Sequence, residues 1–329
     1  MKAYLNGISY YVPEAVVTNE DLAAQFPEWS AEKVATKVGI RRRHIAGPGE
    51  TAVDMAVQAA EALFVEHDID RAGVDFVLLC TQSPDYVLPT SACLVQDRLK
   101  LSTSCGALDF NLGCSGFVYG LAVAKGLLVS GVAKNVLLIT AETYSKHIHP
   151  LDKGNRTIFG DAAAATLVST EGVAAIGEFC LGTDGSGAEN LMVKTGGQRH
   201  PDPLPVTEGE EDFPNHFQMN GSGVFNFTME AVPPLVSATL QNNALELEQI
   251  DLFVFHQANK FMLNTLRKLC RIQPERFYSC MEEFGNTVSS TIPIALKHAQ
   301  ADGSIKPGSQ VLIAGFGVGY SWGACTLQY

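Results

Sequence analysis

A cysteine between two glycines carries the strongest chemical signature in this sequence. Cys114 follows the strand-like residues 109–112, lies between Gly113 and Gly116, and comes just before a long apolar helical pattern. Free N–H groups at a helix N-terminus favour an anion, and the pKa of a thiol there falls to roughly 3.5–7.5. We therefore predict that Cys114 is a nucleophile. The alternative is a buried structural cysteine, the role we predict for the other seven cysteines.

A thiol nucleophile needs a nitrogen base or a hydrogen-bond donor beside it, and His256 is the predicted partner. It ends the apolar segment 252–255, and α/β folds place functional groups at the carboxyl ends of buried strands. The alternative is a core histidine bonded to the backbone. The other histidines lie in surface-like surroundings. His147 and His149 lack the cysteine or carboxylate spacing of a metal site, so we predict no metal.

Asn286 is the third candidate for the site. It precedes a helical stretch and comes 35 residues after Asp251, much as Cys114 comes 39 residues after Asp75. If the two halves of the chain are related by a pseudo-twofold axis, both helix starts converge on one central site. The alternative is that Asn286 is an ordinary helix N-cap.

The elements that would position these residues repeat along the chain. Short apolar runs bounded by turn residues predict buried strands at 75–80, 135–140, 251–256 and 310–314. The members of each successive pair are about 60 residues apart, and each pair precedes a Phe-Gly turn. We therefore predict two similar α/β halves, residues 1–172 with Cys114 and residues 173–329 with His256 and Asn286. The alternative is chance similarity between ordinary α/β segments.

Two further segments indicate layers and a binding loop. Residues 117–129 carry a single charge, on Lys125, and a helix that is apolar on all sides is buried on all sides. We therefore predict this helix between two sheets, in a layered fold with outer helices. Residues 184–221 are rich in Gly, Pro, Asp, Glu and Asn, which is typical of a long binding loop or cover.

Composition excludes several classes of protein. The 329-residue chain has 23 basic and 35 acidic residues and a net charge of −12, so neither nucleic acid nor an anionic membrane attracts it as a whole. Hydrophobic residues make up 46% and charged residues 18%, which favours a folded chain. The sequence has no CxxC pair, no 18-residue apolar run and no apolar segment at its start. We therefore predict a cytoplasmic protein without a zinc ribbon, membrane span or secretion signal.

Together these motifs resemble the β-ketoacyl-acyl-carrier-protein synthase III family of the thiolase superfamily. The matching segments are residues 39–46, 113–117, 158–162, 256–259, 285–287 and 315–323. The resemblance implies a thiolase-like five-layer αβαβα fold built from two similar halves, and a homodimer. Chain-elongating synthases would carry a second histidine where Asn286 stands. Thiolases would carry a second reactive cysteine in a Cys-x-Gly motif, whereas Cys325 precedes Thr326.

The same resemblance implies an enzyme that works in two half-reactions without a resident cofactor. Cys114 would accept an acyl group from acyl-CoA or from an acyl carrier protein. Malonyl carrier protein would then lose CO2 and attack the acyl-cysteine, giving a β-ketoacyl thioester. His256 and Asn286 would donate hydrogen bonds to the thioester oxygen. The backbone N–H groups of Cys114 and Val318, where relatives usually have glycine, would form the oxyanion hole. CoA and the phosphopantetheine of the carrier protein would enter as substrates.

The resemblance also implies residues that bind the acyl donor. Lys33, Lys37 and Lys153 stand where acetyl-CoA-primed relatives commonly have a tryptophan and two arginines. Lysine lacks the stacking surface and the bidentate geometry of those residues, which favours another CoA ester or a carrier-protein donor. The remaining implied substrate contacts are Gly221, Phe225, Ala258 and Asn259.

Two surfaces are implied to meet other chains. The loop 81–89 would carry Leu88 across the dimer into the partner's acyl pocket, where a bulky phenylalanine often limits chain length. The smaller leucine favours a primer longer than acetyl. Lys260, Arg267 and Arg271 are 7 and 4 residues apart, which predicts one basic helical face for carrier protein; the alternative is a merely solvated face.

Other functions fit the sequence less well. Residues 311–317 read as a strand followed by a glycine turn, but a dinucleotide fold would need a third glycine and another βα unit. A serine hydrolase would need Gly-x-Ser-x-Gly, which is absent from the sequence. A non-catalytic relative would be expected to lack one of the three candidate residues. The remaining alternative is a specialised member of the family. It could make a polyketide, quinolone or surface-glycan acyl group, or transfer an acyl group to a heteroatom without decarboxylation.

Overall fold

The predicted strands all belong to one nine-stranded sheet. The computed structural model describes residues 2–206 and 213–329, so residues 207–212 of the predicted binding loop lie outside the described residues. The strands are β1 (Tyr4–Tyr11), β2 (Val16–Thr18), β3 (Arg42–His44), β4 (Phe76–Cys80), β5 (Gly106–Phe110), β6 (Asn135–Glu142), β7 (Ala162–Ser169), β8 (Ala174–Thr183), β9 (Leu191–Met192), β10 (Gln218–Met219), β11 (Leu252–Phe255), β12 (Gln310–Gly317) and β13 (Ser321–Gln328).

The described part of the chain forms nine α-helices. They are α1 (Asn19–Gln25), α2 (Ala31–Val38), α3 (Ala52–Glu66), α4 (Ser91–Arg98), α5 (Gly116–Val129), α6 (Lys153–Arg156), α7 (Gly221–Asn242), α8 (Lys260–Leu269) and α9 (Thr291–Ala301). The side chains of Thr51 and Asp54 form a capping box at the start of α3. Among the described residues, no helix combines the length and hydropathy of a membrane span.

Four strands follow the same order in both halves of the chain, and β5 adds a fifth strand at the edge of the first half. The large sheet runs β11-β12-β13-β8-β1-β7-β6-β4-β5, and β9 and β10 pair separately within the predicted binding loop. Strand β4 pairs in parallel with β6, and β11 pairs in parallel with β12. In the first half, β7 pairs antiparallel with both β6 and β1. In the second half, β13 pairs antiparallel with both β12 and β8. Only Tyr4 and Leu5 of β1 pair with β8, so the two halves of the sheet meet over two residue pairs.

Alternating side chains on the strands build five layers. Leu78 of β4 and Val254 of β11 point into one core that contains α5 and α9. Their neighbours Val77 and Leu79 pack on α3 and α4, and Phe253 packs on α7 and α8. The layers therefore follow in the order outer helices, first half of the sheet, α5 with α9, second half of the sheet and outer helices. This five-layer arrangement confirms the predicted fold. The predicted boundary at residue 172 falls between β7 and β8 and stays a prediction.

The apolar helix predicted for residues 117–129 is α5, in the central layer. Phe117, Val118 and Leu121 are fully buried. Val123 and Val129, however, are 41% and 50% exposed. The prediction that α5 is buried on every side is therefore wrong for the side that carries Val123 and Val129, because the central layer leaves that side at the surface.

Candidate active site

Cys114 lies in the turn between β5 and α5, against the end of β12. Its side chain is almost fully buried. Gly317, the last residue of β12, approaches so closely that a Cβ atom there would lie 2.8 Å from the Cys114 Sγ atom. A side chain at position 317 would therefore collide with the sulfur.

Two backbone N–H groups point at the Cys114 sulfur. They belong to Cys114 itself and to Val318, and they lower the pKa of the thiol. Burial has a larger and opposite effect and raises that pKa to about 12, with a further increase from Glu142. The expectation of an acidic thiol is therefore wrong for the free protein. Cys114 comes before the helix rather than in its first turn, and desolvation outweighs the two donors.

His256 follows β11 directly and is buried. Its backbone N–H donates to the carbonyl oxygen of Ala314 on β12, at 2.8 Å. The Nδ1 atom lies 2.7 Å from the hydroxyl oxygen of Thr291, the first residue of α9. Burial lowers the pKa of His256 to about 3, so the imidazole is neutral at physiological pH.

The backbone and side chain of Asn286 are both held in place. Its N–H donates to the Ile158 carbonyl oxygen at 2.8 Å. Its Oδ1 atom accepts a hydrogen bond from the N–H of Val288 at 2.9 Å, which leaves the amide nitrogen as the free donor. That nitrogen lies 3.5 Å from Nε2 of His256. Val288 has a φ of +56°, a rare conformation for a β-branched residue.

The three predicted residues thus gather around the end of β12. Cys114 touches Gly317, and His256 is bonded to Ala314 of the same strand. Asn286 is adjacent to the His256 ring. The arrangement places a thiol, two backbone N–H donors, a neutral imidazole and an amide N–H2 in one buried site. Such a site can form an acyl thioester and stabilise negative charge on an oxygen atom.

Sequence reasoning missed several groups in this site. Thr291 and Val288 were not singled out, and no spacing rule would have connected them to His256. Glu142 carried a signal, because it is the only charged residue of β6 and stands at the end of a mostly apolar strand. Tyr144, two residues further on, is also buried.

Glu142 forms a buried hydrogen-bond chain beside the site. Its carboxyl accepts hydrogen bonds from the Gln82 N–H and the Ser83 hydroxyl, both at 2.9 Å. The Ser83 Oγ atom lies 3.1 Å from Nε2 of His147. Burial raises the pKa of Glu142 to about 8. His147 is therefore not the surface-like residue that we predicted, and in the described part of the chain no cluster of three or more ligating side chains could hold a metal.

The residues expected to contact the acyl donor differ in exposure and in their hydrogen-bond partners. The Lys153 Nζ atom lies 2.5 Å from a carboxylate oxygen of Glu28, and Lys33 and Lys37 are exposed on α2. Asn259 caps α8 through a 2.9 Å bond from the Met262 N–H, which is a structural role. Ala258 just before it is buried.

The start of α7 carries the other two expected contacts. Gly221 is its first residue, and Phe225 follows one turn later. The ring of Phe225 stacks on Phe261 of α8, with centroids 5.4 Å apart. Phe261 is 64% exposed, so this pair forms an apolar surface next to Lys260.

The predicted basic face of α8 is only partly present. Lys260 is the first residue of the helix, and Arg267 lies in it and donates to the Ile272 carbonyl oxygen at 2.8 Å. The helix ends at Leu269, and Arg271 follows with a φ of +56°. The prediction of one continuous helical face is therefore wrong for Arg271, because the chain has left the helix there.

The loop expected to reach a partner subunit is exposed and apolar. Tyr86, Val87 and Leu88 are 61%, 87% and 79% exposed. Strand β5 follows at the edge of the sheet, with Leu108 47% exposed.

Family models match both halves of the chain. Residues 108–185 match the family described as 3-oxoacyl-[acyl-carrier-protein (ACP)] synthase III, and residues 240–329 match its C-terminal part. The first segment contains Cys114, and the second contains His256 and Asn286.

Full-length relatives give the same result. The β-ketoacyl-[acyl-carrier-protein] synthase III of Nitratidesulfovibrio vulgaris is 36% identical over 99% of this chain and 98% of its own length. That of Clostridium perfringens is 35% identical over 99% of each chain. A crystal structure of a 3-oxoacyl-(acyl-carrier-protein) synthase III is 48% identical with a TM-score of 0.97, covering all of both chains. The enzyme from Burkholderia xenovorans LB400 is 36% identical with a TM-score of 0.92, covering 100% of this chain and 94% of its own. This chain therefore belongs to the 3-oxoacyl-[acyl-carrier-protein] synthase III family.

Proposed function

We propose that the protein condenses an acyl thioester primer with malonyl carrier protein, with loss of CO2, to give a β-ketoacyl thioester. The observation that carries this proposal is the pair of donors formed by His256 and Asn286 beside the buried Cys114 thiol. The names of the relatives support the same reaction.

In the first half-reaction the Cys114 sulfur attacks the carbonyl carbon of the primer. The thiol proton passes to the leaving thiolate, so the step neither consumes nor releases a proton overall. The oxygen of the tetrahedral intermediate takes the place of the Cys114 sulfur as acceptor for the N–H groups of Cys114 and Val318. Because the Val318 donor is a backbone group, the valine side chain does not remove it.

In the second half-reaction the malonyl group loses CO2, and negative charge develops on its thioester oxygen. Nε2–H of His256 and the amide N–H2 of Asn286 both donate to that oxygen. One preorganised donor of this kind is worth about 2.7–4 kcal/mol. A neutral imidazole suits this role because it stabilises the enolate without protonating its carbon. The enolate carbon then attacks the carbonyl carbon of the acyl-cysteine, the carbon–sulfur bond breaks, and the departing Cys114 thiolate takes a proton from water to regenerate the thiol.

The residues on the surface support a donor carried by a protein. Lys153 is engaged by Glu28, and Lys33 offers no stacking surface, so the adenine of CoA has weaker contacts than in relatives with a tryptophan. We propose that the phosphopantetheine arm contacts Gly221, Phe225, Ala258 and Asn259 on its way to Cys114, and that Lys37 lies near the outer end of this path. We propose that Lys260, Arg267 and the exposed Lys268 of α8 attract the acidic carrier protein, with Arg271 beyond the helix.

We also propose a homodimer. The exposed loop with Leu88 would enter the partner's acyl pocket, and the free edge of β5 with Leu108 supports this surface as the contact. Sedimentation of the protein and of Leu108→Lys tests this: a monomeric wild-type protein would contradict the dimer.

The condensation is tested by CO2 release. Malonyl carrier protein labelled at the free carboxylate is incubated with the protein, with and without acyl primer. We expect release that increases with primer and a β-ketoacyl product. The alternative, transfer to a heteroatom by a specialised family member, requires primer turnover without any CO2. That result would exclude the condensation.

A further inference from the structure

Two buried serine hydroxyls lie next to the site without taking part in its chemistry. Ser115 follows Cys114 directly and is fully buried, and Ser321 is the first residue of β13 and is 2% exposed. Their Oγ atoms are 2.6 Å apart. This hydrogen bond joins two segments that are 206 residues apart in the chain, the turn that carries the nucleophile and the turn that carries Val318.

The turn between β12 and β13 has little to hold it in one conformation locally. Val318 stands between Gly317 and Gly319, and glycine leaves the backbone free to adopt many conformations. Val318 is only half-buried, unlike the strand residues before it. The direction of its N–H group is thus not fixed by its neighbours in the sequence, although this N–H group must point at Cys114.

The partners of the two hydroxyls decide where their protons lie. The Ser321 Oγ atom is 2.8 Å from the carbonyl oxygen of Val318, which can only accept, so the Ser321 hydroxyl donates to it. Since that proton is used, Ser321 accepts the hydroxyl proton of Ser115. A chain of two hydrogen bonds therefore runs from Ser115 through Ser321 to Val318. In buried surroundings each bond of such a chain polarises and strengthens the next.

Resting on the proposed function, we infer that Ser115 and Ser321 are positioning residues for the oxyanion hole. Their two hydroxyls hold the carbonyl group of Val318 in place. On the other side of Val318, the pairing of β12 with β13 holds Gly317. With the backbone fixed on both sides, the Val318 N–H group is directed at the acyl oxygen that forms on Cys114.

Ser115 ties this support to the nucleophile. A Cβ atom on Gly315 of β12 would lie 2.8 Å from the Ser115 Cα atom and 2.7 Å from the Cys114 carbonyl oxygen, so this turn packs tightly on β12. The Ser115 carbonyl oxygen also accepts from the Tyr119 N–H of α5, at 3.2 Å. A hydroxyl fixed at this point relates the position of Val318 to that of Cys114, and both N–H donors keep a common geometry.

Single-turnover acylation of Cys114 tests the inference. Acetyl and octanoyl groups are supplied as CoA esters and on carrier protein, without malonyl donor, and the donor that acylates the wild-type protein fastest is used. The mass increase of the intact full-length protein gives the rate. We expect Ser321→Ala to lower the saturating rate roughly 10- to 100-fold, because a displaced donor loses most of its effect on the transition state. The half-saturating donor concentration should change less than about twofold, since ground-state binding is not affected.

A double variant separates positioning from stability. Because Ser115 acts through Ser321, adding Ser115→Ala to the Ser321→Ala protein should cause no further fall in rate, whereas Ser115→Ala alone should lower the rate severalfold. Ser321→Ala leaves the buried Ser115 hydroxyl without this acceptor, and the double variant removes that hydroxyl. The double variant should therefore unfold at the same or a higher temperature than Ser321→Ala and be equally slow.

Two controls keep the test specific. Ser321→Thr retains the hydroxyl and should keep the wild-type rate. Ser169→Ala removes another buried serine hydroxyl, which donates to the Glu171 carbonyl oxygen at the end of β7 opposite the site. It should also acylate at the wild-type rate.

Three results would overturn the inference and leave the proposed function standing. The first is a Ser321→Ala protein that acylates at the wild-type rate. The second is additive losses of rate in the double variant. The third is a fall in rate that a higher donor concentration restores. Absence of any adduct on the wild-type protein would instead count against the proposed function, and the inference would fall with it.

Discussion

At the scale of single residues, we expect Thr291 to decide which nitrogen of His256 carries the proton. Its hydroxyl oxygen lies 2.7 Å from Nδ1 of His256 and 3.0 Å from the Val288 carbonyl oxygen. The carbonyl oxygen can only accept, so the single hydroxyl proton goes either to Val288 or to Nδ1. When it goes to Nδ1, the ring proton stays on Nε2, beside the amide of Asn286. Only this tautomer gives the enolate two donors. The histidine was predictable from the sequence, but its tautomer depends on a contact 35 residues away.

Thr291→Val therefore separates the two half-reactions. Condensation should fall by up to about 100-fold, because His256 loses its hydrogen-bond partner at Nδ1, while acylation of Cys114 changes little. Thr291→Ser keeps the hydroxyl and should restore condensation. Rates of CO2 release and of acyl-enzyme formation provide the two readouts. An equal fall of both rates in the valine variant would show that Thr291 has only a structural role.

At the scale of elements, the end of β12 positions the chemistry. Its strand and glycine turn were predicted from sequence, as were β4, β6 and β11. The high pKa of Cys114 was not, because it arises from burial that tertiary packing creates. The left-handed Val288 and the break of α8 before Arg271 were also unpredictable, since neither position has the glycine that usually marks such a conformation.

Gly317→Ala tests the close contact between β12 and Cys114. The new Cβ atom would lie 2.8 Å from the sulfur, so we expect acylation to fall by about 100-fold or more, since an ångström of displacement in a site costs that much. The control is Gly126→Ala in α5, where nothing lies within 4 Å of the added Cβ atom. The control should keep wild-type acylation and unfold at the same or a higher temperature. An active Gly317→Ala protein would contradict the geometry proposed for the oxyanion hole.

At the scale of the whole molecule, two buried groups give stability opposite dependences on pH. The pKa of His256 is lowered from 6.5 to about 3, so only the unfolded chain gains this proton as the pH falls below 6.5, and stability decreases towards acid. The pKa of Glu142 is raised from 4.5 to about 8, so only the unfolded chain loses this proton between those values, and stability decreases as the pH rises. Neither effect is visible in a sequence, because both pKa values come from burial.

Glu142→Gln should weaken the decline of stability between pH 5 and pH 8. Glutamine keeps an acceptor for the Gln82 N–H but has no proton to hold. Midpoints of urea unfolding across this range give the comparison. Glu275→Gln, at an exposed position, is the control and should follow the wild-type curve. A Glu142→Gln curve parallel to wild type would mean that Glu142 is ionised in the folded protein.

The proposed reaction requires that Cys114 first carries an acyl group and then transfers it to a carbon derived from malonyl carrier protein. Intact-protein mass measures this directly, after incubation with acyl-CoA and acyl carrier protein and again after addition of malonyl carrier protein. We predict one acyl mass on the wild-type protein, none on Cys114→Ala, and disappearance of the adduct on addition of malonyl carrier protein, with release of CO2. Asn286→Ala should form the adduct and retain it. An adduct on Cys114→Ala, or a wild-type adduct that malonyl carrier protein does not remove, would contradict the account.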